Sequence, residues 1–100
     1  MKGAIASVEI YAFAASAQPV ASPRRLSLVI GLPTRAPSGD AWHCRVALAD
    51  LHRPRTLAGR DSFEALALGV ACARDWLAAL ADEGFDLFRD RAGVEPFTFR

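Results

Sequence analysis

The sequence predicts an α+β domain in which a three-stranded antiparallel sheet packs against one long helix, in the order β-β-β-α. Three segments alternate apolar and polar residues with a period of two, the pattern of a half-buried strand. A fourth segment repeats its apolar residues every three or four positions, the pattern of an amphipathic helix. Because the connections between the strands are short, we expect an antiparallel meander with one packed face and one wetter face.

The predicted strands cover residues 4–15, 24–32 and 42–49. Pro33 ends the second strand because proline cannot donate a hydrogen bond to a sheet ladder. Residues 34–40 are rich in turn formers and predict the connection of a hairpin. On the wetter face, we expect Glu9 to form cross-strand charge pairs with Arg25 and Arg45.

The predicted helix covers residues 62–83, and Asp61 or Ser62 caps its N-terminus. Glu64 stands three residues after Asp61, a spacing that fits a capping box. Gly84 provides the C-terminal stop. The apolar residues of this helix span an arc of roughly 220°, about twice the ~100° stripe of an ordinary surface helix. One sheet is therefore expected to leave part of the helix uncovered.

The whole chain, residues 1–100, is predicted to be a single domain with its sheet and helix within residues 4–83. Residues 50–60 contain Pro54 and Gly59 and predict a loop between the third strand and the helix. Residues 84–100 are predicted to form a C-terminal arm, whose first few residues can form a short strand.

Leu68, Cys72 and Trp76 extend the apolar stripe of the helix sideways, so they are the candidate partner-binding residues. Two interpretations stay open for what covers them. The aromatic C-terminal arm covers them in cis, or a second copy or another protein covers them in trans. Trp at an interface centre, and the small residues Ala65, Gly69 and Ala79 that let helices approach, favour self-association.

Overall charge and hydropathy exclude some function classes. Twelve basic residues balance 11 acidic ones for a net charge of +1, which gives no global field to attract nucleic acid or an anionic membrane. No apolar run approaches the ~20 residues that span a bilayer. Ala15-Ser16-Ala17 mimics a signal-peptide cleavage site, but Glu9 interrupts the apolar stretch before it. We therefore expect a cytoplasmic protein.

Arg53, Arg55 and Arg60 make the predicted loop locally basic, next to the start of the helix. With the positive end of the helix dipole, this loop is a candidate anion- or nucleic-acid-binding site. The competing interpretation is a solvated loop, because little of the remaining surface continues the basic charge. A nucleic-acid-binding accessory domain is therefore the alternative function.

The candidate metal ligands are His43, His52, Cys44 and Cys72, which are also the candidates for a cysteine–histidine nucleophile pair. Their spacing matches no zinc motif. His43 and Cys44 are adjacent on a predicted strand and face opposite sides of the sheet. Both cysteines occupy core-facing positions, where a free cysteine behaves as a small apolar residue. The sequence leaves undecided whether they form a disulfide with each other. The sequence predicts no catalytic residue, no cofactor and no metal.

Three local patterns carry a resemblance: Gly31-Leu32-Pro33 at the end of a strand, the segment 39–44 at the start of the next, and the segment 59–66 at the start of the helix. Together they resemble an uncharacterised family of small bacterial domains over residues 5–83. The resemblance implies the strand–strand–strand–helix order and a bacterial origin, and no catalytic residue.

The function predicted from the sequence is a non-catalytic protein–protein interaction module. We expect it to form a homodimer through the Trp76 flank or a sheet edge. A heterologous protein partner, as for an inhibitor or immunity-type protein, is the other form of the same prediction.

Overall fold

The structure, a computed structural model, describes residues 3–14 and 22–99. One antiparallel sheet packs against one helix, which confirms the predicted α+β class. Within the described residues the sheet has six strands, so the predicted three-stranded meander is an undercount. The elements are β1 (Ala4–Ala14), β2 (Arg24–Gly31), β3 (Thr34–Arg35), β4 (Trp42–Leu48), β5 (His52–Gly59), α1 (Ser62–Asp82) and β6 (Phe85–Phe88).

The sheet is arranged around β4, which has neighbours on both sides. Val46 is paired with Ile30 of β2 and with Arg55 of β5, so β5 occupies one side of β4 and β2 the other. β3 shares the β2 side, where it is paired with the first residues of β4. β1 follows β2, and β6 returns after the helix to pair with β1. β5 and β6 are therefore the two long edges of the sheet, while the two-residue β3 is paired with β4 alone, and all these pairs are antiparallel.

The predicted loop 50–60 is wrong, because most of it is the edge strand β5. Asp50 adopts a φ of 69° in the turn between β4 and β5, a conformation that aspartate tolerates better than most residues. Only Leu57 and Gly59 of this strand are half-buried or buried, so its sequence lacks the apolar alternation that marks a strand. Pro54 is tolerated because one side of an edge strand needs no ladder partner.

The core lies between the sheet and α1. Its largest fully buried side chains are Ile10, Leu26, Val46, Leu48, Leu77 and Cys44. Ala65 and Gly69 of the helix are also buried, and a Cβ atom added at Gly69 would lie 2.7 Å from the sulfur of Cys44. Ala65 and Gly69 therefore let the helix approach its own sheet, rather than a second helix as the sequence suggested, whereas Ala79 is exposed.

The helix ends match the sequence prediction. The Asp61 carboxylate accepts a hydrogen bond from the amide of Glu64 at 2.7 Å, which confirms Asp61 as the N-cap. The Glu64 carboxylate in turn accepts one from the amide of Arg60 at 2.9 Å, one residue before the N-cap amide that the predicted capping box would use. After the last turn, Gly84 adopts a φ of 95°, the left-handed conformation that commonly ends a helix.

The predicted C-terminal arm contains β6 and a turn that folds back along it. The amide of Arg89 donates to the carbonyl of Glu95 at 2.8 Å, and the amide of Phe97 donates to the carbonyl of Leu87 at 2.9 Å. These bonds pair the outer edge of β6 with the residues that follow it. The chain thus covers one of its own two sheet edges.

Asp90 organises this turn, and its charge makes the turn sensitive to acid. Its carboxylate accepts hydrogen bonds from the amides of Glu95 at 2.8 Å and Val94 at 3.0 Å, and these bonds lower the pKa of Asp90. A carboxyl group whose pKa is lower in the folded state adds stability above its unfolded pKa of about 3.9. That stability is lost as the pH falls through the folded pKa.

We therefore expect Asp90→Asn, which removes the charge, to lower the melting temperature at pH 7. The difference from the wild type should shrink as the pH falls below about 4, because the wild-type carboxyl then also loses its charge. Thermal unfolding of both proteins between pH 2.5 and pH 7 measures this difference. A difference that stays constant across this range contradicts the role given to the Asp90 charge.

Candidate interaction surfaces

The edge strand β5 covers most of the predicted partner-binding flank of α1. The ring of His52 stacks on Trp76, with the ring centroids 4.6 Å apart and the planes 10° from parallel. Cys72 is buried at 7% exposure and Trp76 is half-buried, whereas Leu68 is 40% exposed. Of the three predicted residues, only Leu68 thus presents much of its side chain to the outside.

The C-terminal arm lies on a different side of the helix from this flank. Phe97 and Phe99 pack against the core, with their ring centroids 6.5 Å apart. Phe99 borders a shallow depression together with Ala71 and Ala78, on the outer side of α1. The arm therefore folds back in cis, and β5 supplies the cover that the sequence analysis expected from the arm or from a partner.

The three predicted basic residues are not equivalent. Arg60 forms an ion pair with Glu64 at 2.9 Å, and its hydrogen bonds lower the pKa of that carboxyl while raising the pKa of Arg60. Arg53 and Arg55 are exposed on β5 and form no ion pair with any described residue. The charge available to an anion is thus smaller than the sequence suggests.

The cysteine and histidine residues lie in different parts of the fold and do not form one site. Cys44 is fully buried under α1, and burial raises the pKa of its thiol. His43 points to the opposite face of the sheet, while His52 stacks on Trp76. Both cysteines are free thiols, and within residues 3–14 and 22–99 no three His, Cys, Asp or Glu residues group as potential metal ligands.

The side of the sheet away from the helix is the wetter face of the sequence analysis, which did not propose it as a contact surface. Because side chains alternate along a strand, the residues between the buried positions of β1, β2, β4 and β5 all point to this side. We call it the open face. Its principal residues are Ser7, Glu9, Ser27, Val29, Arg45, Ala47 and Thr56.

One end of this side is covered by the C-terminal turn. The Arg91 guanidinium lies 5.5 Å from the centroid of the Tyr11 ring, and Phe13 and Phe88 form a T-shaped pair at 5.3 Å. Gly93 lies close enough to Phe13 that an added Cβ atom would be 3.2 Å from its ring. No described residue makes a comparable cover over the open face on β2, β4 and β5.

Charge on the open face is partly paired. Arg25 and Glu9 form the predicted cross-strand ion pair at 3.3 Å. Arg45 does not join them and forms no ion pair with a described residue. Next to Arg45 lies a cleft of about 600 Å³, bordered by Val29, Leu32 and His43 among others.

The chain matches no protein family, no curated protein and no solved structure. Its resemblance to a family of small bacterial domains therefore stays a prediction. The helix α1 lacks the long uncharged apolar stretch that a bilayer span requires, and the described residues form no other helix.

Proposed function

We propose that the protein is a non-catalytic protein–protein interaction module of a bacterial cytoplasm, and that it self-associates through the open face of its sheet. The observation that supports this most directly is that α1 covers only one side of the sheet. The centre of the other side carries the small apolar residues Val29 and Ala47, with no described element packed over them. A two-layer fold buries one face of its sheet, so the second face is free to meet another copy.

The two sheet edges offer less to a partner than this face does. The arm already pairs with β6 through the Phe97 and Arg89 amides. On β5, Arg53, Pro54 and Arg55 follow one another, and charged residues and proline are features by which natural proteins prevent pairing at an edge. Two β5 strands side by side would also bring like charges together. This favours the open face over the sheet edge that the sequence analysis considered.

The helix flank also offers a partner fewer exposed apolar residues than the sequence analysis expected. Trp76 and Cys72 pack within the chain, so Leu68 alone would anchor a partner there. An exposed single apolar residue is common on protein surfaces and needs no partner.

The open face is large enough for a weak dimer. Its strands β1, β2, β4 and β5 have 11, 8, 7 and 8 residues. With strands ~4.8 Å apart and a rise of ~3.4 Å per residue, their planar area is on the order of 500 Å². The relief of the side chains adds to this, and each partner of a standard interface contributes about 800 Å². Two open faces can pack as sheets do in a β-sandwich.

The test is the oligomeric state, measured by light scattering coupled to gel filtration. We expect a dimer at micromolar concentration and a monomer for Ala47→Glu, because pairing the faces would bury a carboxylate and would have to accommodate its longer side chain. The matched control is Ala67→Glu, which places the same charge on an exposed residue of α1 and should leave the dimer intact. Circular dichroism checks that both variants fold.

Ser7→Glu gives an independent variant of the same surface, because Ser7 is exposed on the neighbouring strand β1 opposite Val29. It too should give a monomer. A wild-type protein that is monomeric up to the millimolar range, or a dimer that survives both open-face variants, contradicts self-association through this face.

The unpaired guanidinium groups of Arg53 and Arg55 support a second candidate, a nucleic-acid-binding accessory domain. Both lie on the exposed edge strand, where Arg55 is paired with Val46 and so points to the other side of the sheet from Arg45. This function predicts a gel shift with RNA or DNA at low salt that disappears when both residues are replaced by Ala. No shift at low salt contradicts it.

A further inference from the structure

The cleft beside Arg45 combines an apolar floor with a cation. It opens on the face of the sheet away from α1, where the end of β2 meets β4 and β5. Its volume of about 600 Å³ lies within the range of small-molecule sites, ~300–1,000 Å³. Small-molecule sites typically have mostly apolar walls with a few polar groups, and this cleft has that composition.

The apolar part comes from Val29, Leu32 and Ala47. Leu32 is 49% exposed, so its side chain is accessible to a group placed in the cleft that it borders. Gly31 leaves the floor open, because a Cβ atom there would lie 3.3 Å from the Arg45 carbonyl oxygen and 3.7 Å from its Cβ atom. An apolar group placed in the cleft would therefore shield Leu32 and rest beside Arg45.

The polar part has one sign of charge. Arg45 and His43 stand two residues apart on β4, so both point into the same side of the sheet, and both line the cleft. Thr34 and Thr56 also line it, whereas no described Asp or Glu does. Glu9, an acid on the open face, already pairs with Arg25. Arg45 thus has a fixed positive charge with donors around it and no acid to neutralise it.

We propose that this cleft binds a small anionic molecule with an apolar body, of the class of aromatic or acyl carboxylates. The guanidinium of Arg45 holds the carboxylate, since arginine matches planar oxyanions with paired N–H donors. The ring of the ligand, or its acyl chain, covers Val29 and Leu32. This inference goes beyond the proposed function and does not depend on it, although a ligand in the cleft would occupy part of the surface that a second copy needs.

Two fluorescent probes with the same ring system test the two parts separately. Anilinonaphthalene sulfonate carries an anionic group, and N-phenyl-1-naphthylamine lacks it. We expect saturable binding of the anionic probe with one site per chain, and displacement by decanoate. Arg45→Met keeps the apolar stem and removes the charge, so it should weaken the anionic probe about tenfold. The affinity of the Arg45→Met variant for the neutral probe should change by less than about twofold.

The matched control is Arg55→Met, which removes an exposed arginine from the adjacent strand without touching the cleft lining. It should leave both probes unaffected. Salt provides a readout that needs no variant, because screening should weaken the anionic probe and spare the neutral one. Equal losses in Arg45→Met and Arg55→Met, equal sensitivity of the two probes to salt, or no saturable binding overturns the proposal.

Light scattering on the same samples separates this proposal from self-association. A monomeric protein that binds the anionic probe through Arg45 supports the ligand site and contradicts only the dimer. A dimer that binds neither probe, and whose monomeric Ser7→Glu variant binds neither as well, contradicts only the ligand site.

Discussion

Replacing Gly59 by Ala is expected to cost the protein at least about 3 kcal/mol of unfolding free energy, more than most single substitutions. Gly59 ends β5 and is buried against the first turn of α1. A Cβ atom at this position would lie 2.9 Å from the Cα atom of Ala65 and closer still to its amide nitrogen. Both obstacles are backbone atoms, so no side-chain rotation can relieve the clash.

Urea unfolding followed by circular dichroism measures this cost. The control is Ala58→Ser at the preceding residue, which is exposed and should change the stability by less than about 0.5 kcal/mol. A Gly59→Ala protein within about 1 kcal/mol of the wild type would mean that the strand and helix separate easily at this point. In that case the packing of β5 over the Trp76 flank would be looser than the structure shows.

Apolar alternation located the strands that have one side against the helix and one side away from it. In β2, Leu26, Leu28 and Ile30 are buried while their neighbours are not, and the predicted strand 24–32 differs from the observed one by a single residue. The helix was located equally well, because its cap at Asp61 and its stop at Gly84 are local features. These elements depend on neighbouring residues, which a sequence displays directly.

β5 could not be found in this way, because an edge strand forms mainly through backbone hydrogen bonds, which involve no particular side chain. Its exposed residues, among them Arg53 and Pro54, look like those of a loop. The error then affected the helix flank. Periodicity placed Trp76 on the apolar side of α1 correctly, but its cover is His52, a residue of the missed strand.

The open face was only partly predictable. The sequence identified Glu9 and Arg25 as partners, and the structure confirms their ion pair. It also grouped Arg45 with them, although Arg45 instead borders the cleft. The shape of a cleft depends on the relative positions of strands that are not adjacent in the sheet. The spacing of residues along the chain does not give these positions. Small residues such as Ala47 gave the one available signal, because they leave a strand surface shallow.

Replacing Gly69 by Ala is expected to destabilise the protein by about 2 kcal/mol, although it improves the helix itself by about 1 kcal/mol. The added Cβ atom would lie 2.7 Å from the Cys44 sulfur and 3.2 Å from a methyl group of Val46. The Cys44 side chain is fully buried, and its sulfur lies 3.5 Å from the Gly31 carbonyl oxygen that accepts its hydrogen bond. It therefore has little space into which it can turn.

A double-mutant cycle tests whether this contact sets the distance between α1 and β4. Cys44→Ala removes the sulfur and leaves the Cys44 Cβ position at an ordinary 3.5 Å from the new methyl group. The two substitutions together should therefore cost at least about 1 kcal/mol less than the sum of the single costs. Gly69→Ala combined with Leu87→Ala is the control and should be additive, because Leu87 lies on β6, three strands away from Cys44 in the sheet. Additivity in the Cys44 pair, or a Gly69→Ala protein more stable than the wild type, contradicts the close helix–sheet contact. If the cycle gives the expected coupling, Gly69 is a residue of the protein's own core and is not available for packing against a second helix.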